Sequence, residues 1–114
     1  MPHRFSNAML ARMVAVCLLF IQVVPTWAAE TVEVAIEKMM FLPQRLQIKT
    51  GTTVIWINKE KRTSHSLYFE KEGLSESDRI FPGESWQRSF HKPGTYAYHC
   101  GPHEEMTGII EVTE

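Results

Sequence analysis

Tyr96-Ala97-Tyr98-His99-Cys100-Gly101-Pro102-His103-Glu104-Glu105-Met106 joins an alternating run to a cluster of three soft-metal donors. In a strand, Tyr96, Tyr98 and Cys100 share one face while Ala97 and His99 share the other. If the aromatics face a core, Cys100 does too, at the interior end of its strand, and His99 points outward. The next residues then bring an imidazole (His103) and a thioether (Met106) close to the thiolate. Zinc takes Cys, His and carboxylate and has little use for a thioether, and magnesium and calcium want oxygen. Two histidines, one cysteine and a weak axial methionine make the donor set of a blue copper centre. The loop holds one of those histidines, so the second must come from elsewhere.

His65 is the leading candidate. His99 faces away from Cys100, His91 sits in a turn beside Lys92-Pro93-Gly94, and His3 lies in a leader-like segment. Taken alone, His65 would read as an ordinary surface or capping histidine. The Cys100 loop makes it a ligand candidate. Met39 and Met40, beside Phe41-Leu42, read as core filling rather than extra copper ligands. Trp56 and Trp86 also read as core.

Further out, the chain is punctuated for strands. Thr31–Glu37 alternates with Val32, Val34 and Ile36 on one face. The β-rich runs Leu46–Lys49 and Thr52–Asn58 flank Thr50-Gly51, a turn signal. Residues 64–69 form another short candidate. Ser85–Phe90 alternates between the Pro82-Gly83 and Pro93-Gly94 turns, and Thr95–Cys100 and Gly108–Val112 close the chain. Residues 70–79 look polar, irregular and exposed. Short strands at this spacing predict an all-β fold, a Greek-key β-sandwich in a single domain.

Residues 1–12 carry Arg4 and Arg12 and no acid, residues 13–24 are apolar apart from Gln22, and Pro25-Thr-Trp-Ala-Ala29 follows. A basic start, a short apolar run and small residues at its exit describe a secretory signal peptide. Cleavage after Ala28 puts Thr26 and Ala28 at the small-residue positions, whereas cleavage after Ala29 would put Trp27 third from the end. The run is short for a membrane span, and an uncleaved anchor is the alternative. The expected organisation is a leader over residues 1–28 and one domain over 29–114.

Without the leader, Arg4 and Arg12 are lost while all 13 acids stay, so the net charge falls from −1 to near −3. No basic stripe suggests nucleic acid. Cys17 belongs to the apolar run, which leaves Cys100 alone in the domain. A lone thiol in an oxidising compartment is vulnerable unless it is buried and inert or ligates a metal. Ligation also accounts for His103 and Met106.

Phe41-Leu-Pro43, Gly51-Thr-Thr-Val-Ile-Trp56-Ile-Asn58, His65, Pro82-Gly83-Glu-Ser85, Phe90, Pro93-Gly94-Thr-Tyr96 and Tyr98 to Gly108 together resemble a cupredoxin from about Val32 to Val112. The short spacing of Cys100, His103 and Met106 resembles the amicyanin and plastocyanin-like group in particular. The resemblance implies copper bound by His65, Cys100, His103 and Met106, and single-electron transport in the periplasm. It also implies redox-protein partners such as a c-type cytochrome or a periplasmic dehydrogenase. The chain is expected to be a monomer without a membrane span in its mature form. It is not expected to be an enzyme, because four ligands leave no open position for substrate. A periplasmic copper chaperone, store or oxidase-assembly factor would use the same fold, and it is the competing expectation.

Two positions depart from the group. Ser66 follows the first histidine where relatives commonly carry an asparagine that ties the ligand loops together. Glu104 and Glu105 stand where amicyanins have apolar residues beside the exposed histidine.

Overall fold

The computed structural model describes residues 15–22 and 30–114. Residues 15–22 are exposed and form neither strand nor helix. The proposed leader cleavage sites lie outside the described residues. Among the described residues, no helix is long and apolar enough to cross a membrane.

Seven strands build the domain: β1 (Thr31–Glu37), β2 (Met40–Leu42), β3 (Arg45–Lys49), β4 (Thr52–Asn58), β5 (Ser85–Phe90), β6 (Gly94–His99) and β7 (Thr107–Thr113). One 3₁₀ turn, Glu70–Glu72, interrupts the long β4–β5 connection. The strands form two sheets, β2-β1-β4-β5 and β3-β7-β6. Both sheets are mixed: β1 runs parallel to β4 and β3 parallel to β7, and the other pairs are antiparallel. The fold is the all-β sandwich that the alternating runs call for.

The alternation is clearest in β4, where Thr52, Val54, Trp56 and Asn58 are buried and the residues between them are partly exposed. Trp56, fully buried, lies at the centre of the core among Phe69, Phe90, Trp86 and Tyr98. Its ring meets Tyr98 edge-on at 5.5 Å, and its Nε1–H donates to the Tyr98 hydroxyl at 3.0 Å. That bond crosses from one sheet to the other. Burial pushes the Tyr98 phenol up to about 12. Because Tyr98 is anchored here, β6 cannot slip by one residue without exposing its aromatics. Cys100, two positions on, is therefore held on the same inner face, and it is fully buried.

Two expectations need correction. Residues 64–69 do not form a strand. They run beside other segments through isolated bridges, His65 to Ile80 and Tyr68 to His99, because each partner lies beyond or at the end of a strand. Nor are Met39 and Met40 core filling, since they are 42% and 48% exposed. The β1–β2 hairpin places them outside, because its two-residue turn has positive φ at both Lys38 (53°) and Met39 (58°). Tight turns of that hand ordinarily use Asn and Gly. Phe41, next in line on β2, is the residue that turns inward.

Candidate metal centre

The site lies at one pole, where the β4–β5 connection meets the loop between β6 and β7. Cys100 Sγ stands 3.6 Å from His65 Nδ1 and 3.5 Å from His103 Nδ1. The three candidate ligand atoms all lie within 4.8 Å of one another. Nitrogen and sulfur ligands bind a metal at about 2.0–2.3 Å, so neighbours in a trigonal set stand roughly 3.7 Å apart. The observed spacing fits one ion between them. Met106 is 5% exposed, and with His103 and Met39 it lines one cleft.

Each donor has a local reason for its place. His65 is fully buried, and its backbone exchanges two hydrogen bonds with Ile80, at 3.1 and 2.8 Å. Its Nε2 lies 3.3 Å from Glu60 Oε1. A carboxylate can only accept, so Nε2 carries the proton and Nδ1 turns its lone pair toward the sulfur. Burial pulls the His65 imidazole below its usual value, which favours this neutral form despite the opposing pull of Glu60. Glu60 is held in place by the Met39 N–H at 2.8 Å, the main cause of its own lowered value. The positive-φ hairpin turn is thus linked to the site, which is where backbone strain tends to be tolerated.

Asn58 organises the segment between. Its Nδ2 donates to the Thr63 and Ile80 carbonyls at 2.9 and 2.8 Å, and its Oδ1 accepts from the Glu60 N–H at 2.9 Å. Ser66 links the His65 segment to the Cys100 loop. Its N–H donates to Cys100 Sγ at 3.4 Å, and its Oγ accepts from the Gly101 N–H at 3.0 Å. The tether between these two segments is therefore made by both side chain and backbone.

The second loop is sparer. Cys100 N–H donates to the Met106 carbonyl and Met106 N–H to the His103 carbonyl, each at 2.9 Å. Pro102, Glu104 and Glu105 are exposed and His103 is half-buried. His99 is turned away, as strand parity implies: its ring nitrogens meet the Cys100 carbonyl at 2.9 Å and Glu70 Oε2 at 3.0 Å. Those contacts, the Cys100 carbonyl foremost, raise its pKa. His91 is exposed and away from the cluster.

All four sequence candidates thus lie at one pole, with the atoms of His65, Cys100 and His103 converging and Met106 buried beside them. Sequence reasoning missed Glu60, Asn58 and Glu76, whose Oε1 accepts from the Ser66 hydroxyl at 2.5 Å. Asn58 carried a signal: it continues the buried parity of Val54 and Trp56, where a polar residue needs hydrogen-bond partners. No spacing marks Glu60 or Glu76, which come from an irregular connection.

The comparisons with known proteins agree with this geometry. Residues 28–113 match the family model described as copper binding proteins, plastocyanin/azurin family. The chain is 35% identical over 96 residues to an amicyanin of Paracoccus denitrificans, covering 77% of this chain and 72% of that protein. It is 36% identical over 86 residues to a plastocyanin of Scenedesmus fuscus, covering 65% and 87%. With an amicyanin of Paracoccus versutus the identity is 34% over 88 residues, covering 74% of this chain and 66% of that protein. A solved structure of the Cu(I) form of an amicyanin mutant superposes with a TM-score of 0.70 at 32% identity, covering 75% of this chain and 85% of that one. Family match, fold and donor set converge, and the chain belongs to the plastocyanin/azurin family of copper-binding proteins.

Proposed function

We propose that this protein is a type 1 (blue) copper electron carrier of the periplasm, with residues 1–28 a leader removed on export and 29–114 the working domain. In this reading His65, Cys100, His103 and Met106 are the copper ligands. The observation that carries it is the pair of imidazole Nδ1 atoms flanking a buried Cys100 Sγ at 3.6 and 3.5 Å. Bound copper would supply a one-electron couple whose two oxidation states favour different surroundings.

The chain's part is to hold one compromise arrangement. Glu60 orients the His65 ring, Ser66 N–H donates to the sulfur, and the Trp56–Tyr98 bond fixes the strand that delivers Cys100. Buried donors braced in this way, His65 and Cys100 above all, would move little when an electron arrives or leaves. The burial of His65 and Cys100 keeps water away, while half-buried His103 gives electrons a short route to the surface. Glu104 and Glu105 come directly after His103 in the same loop, which suits a partner with a basic rim such as a c-type cytochrome. A periplasmic dehydrogenase is a second redox partner in this reading. The carrier works as a monomer and catalyses no bond change.

The test is to express residues 29–114, add Cu(II), and record visible and electron paramagnetic resonance spectra. Intense thiolate-to-copper absorption with a narrow copper hyperfine splitting is expected. Cys100→Ser should abolish the colour, whereas Met106→Leu should keep it and shift the reduction potential. Stoichiometric zinc binding with no coloured copper form would sink the proposal. Copper uptake without a reversible couple would favour a chaperone or store.

A further inference from the structure

Ser66 is fully buried and joins its own segment to two other stretches of chain. Beyond its bonds to Cys100 Sγ and the Gly101 N–H, its hydroxyl donates to Glu76 Oε1 at 2.5 Å. A hydroxyl has one proton and two acceptor lone pairs. The Gly101 amide can only donate, so Oγ accepts there and gives its one proton to Glu76. Without an acceptor at position 76 the hydroxyl proton has no partner, and Oγ keeps only one of the two bonds that fix its rotamer.

The packing around this contact is close. A Cβ at Gly101 would overlap both Glu76 Oε1 and Ser66 Oγ, so the glycine is part of the arrangement. The stretch carrying Glu76 is also held beside Ser66. Leu67 N–H donates to Ser77 Oγ at 2.8 Å, and Ser77 N–H donates to the Leu67 carbonyl at 2.9 Å. Residues 70–79, which the sequence presents as an exposed polar connection, therefore lend a carboxylate to the metal centre.

We propose that Glu76 is a positioning residue of the copper site: it locks the Ser66 hydroxyl so that Ser66 joins the His65 segment to the Cys100 loop and keeps its N–H on the thiolate. This rests on the reading of His65 and Cys100 as ligands. The role has two separable parts. The acceptor oxygen sets the geometry, while the negative charge stabilises the more positive, oxidised site and so lowers the reduction potential.

Substitutions separate these parts. Glu76→Gln keeps an acceptor and removes the charge, so the potential should rise with the visible spectrum unchanged. Glu76→Ala removes both and should alter the thiolate-to-copper absorption and weaken copper binding about 10-fold. In a Ser66→Ala background, Glu76→Ala should have no further effect on the spectrum, because the hydroxyl it acts through is gone.

Metal-free protein supplies an independent measurement. Amide hydrogen exchange at Ser66 and Gly101 should accelerate about 10-fold in Glu76→Ala while the β4 amides stay protected. Unchanged exchange at Ser66 and Gly101 would overturn the proposal. So would a spectral effect of Glu76→Ala that persists undiminished without the Ser66 hydroxyl. A wild-type protein that takes up no coloured copper would sink the ligand reading, and the exchange measurement would still decide the tether.

Discussion

His65 and His103 present the same atom to Cys100 at nearly the same distance, Nδ1 at 3.6 and 3.5 Å, from supports built in opposite ways. His65 is fully buried, paired with Ile80 through the backbone and fixed at its far nitrogen by Glu60. His103 rides on a loop closed by two backbone bonds and flanked by exposed Pro102 and Glu104. The difference separates two requirements of an electron carrier. In the proposed copper site, one side of the metal is made stiff so that geometry survives a change of charge. The other is kept thin so that a partner can come close.

If that contrast is real, the largest effect should come from Asn58. Asn58→Ala removes two donors from the Thr63 and Ile80 carbonyls and one acceptor from the Glu60 N–H. Leaving buried groups without partners should cost about 3 kcal/mol. Pro102→Ala, an exposed change on the thin side, should stay within about 0.5 kcal/mol. Urea unfolding of the metal-free variants compares them directly, and equal losses would break the contrast.

An intermediate effect is expected at Glu60. Glu60→Gln should weaken copper binding about 10-fold, since a partner of this kind orients the ligand imidazole. The same variant should change the acid response of the metal-free protein. Both His65 and Glu60 bind protons less readily folded than unfolded, His65 through burial and Glu60 through the Met39 N–H. The unfolded chain therefore takes up more protons as pH drops, and stability falls with it. The His65 contribution is complete above its ordinary value of 6.5 and is lost as pH falls through the lower folded value. The Glu60 contribution is lost in the same sense below 4.5. Glu60→Gln should erase the lower step. It should deepen the upper one, because the carboxylate had helped His65 to hold a proton. Denaturation midpoints between pH 7 and pH 4 would show this, and an upper step that shrinks would contradict the assigned pairing.

The stiff side is also the part that the sequence reveals least. β1, β4, β5 and β6 were legible because each alternates long enough to define a buried face. Cys100 was legible because its parity follows Tyr96 and Tyr98. β2 was not, since Met40–Leu42 is too short to show a period. Residues 64–69 read as a strand because their composition suits one, but their partners are single residues, Ile80 and His99. His65 could be reached by elimination, whereas Glu60 and Glu76 could not. Their placement depends on how one irregular connection folds back on itself, and that is settled by Asn58, Ser66 and Ser77 together rather than by any local pattern.

The smallest expected effect belongs to the thin side and concerns encounter rather than stability. Glu104 and Glu105 are exposed directly after His103 in the same loop, and the domain without its leader carries near −3 net charge. Opposite charges attract over about 10 Å at 0.1 M salt, and higher salt shortens that reach. Electron transfer to a positively charged c-type cytochrome should therefore slow as ionic strength rises. Replacing both residues (Glu104→Gln with Glu105→Gln) should cut the low-salt bimolecular rate about threefold and flatten its salt dependence. The visible spectrum should not change, because neither glutamate bonds to a ligand side chain. Stopped-flow mixing at several ionic strengths makes the measurement. A rate indifferent to salt and to both substitutions would mean that the glutamates only solvate the loop, and the thin side would then be defined by its exposure alone.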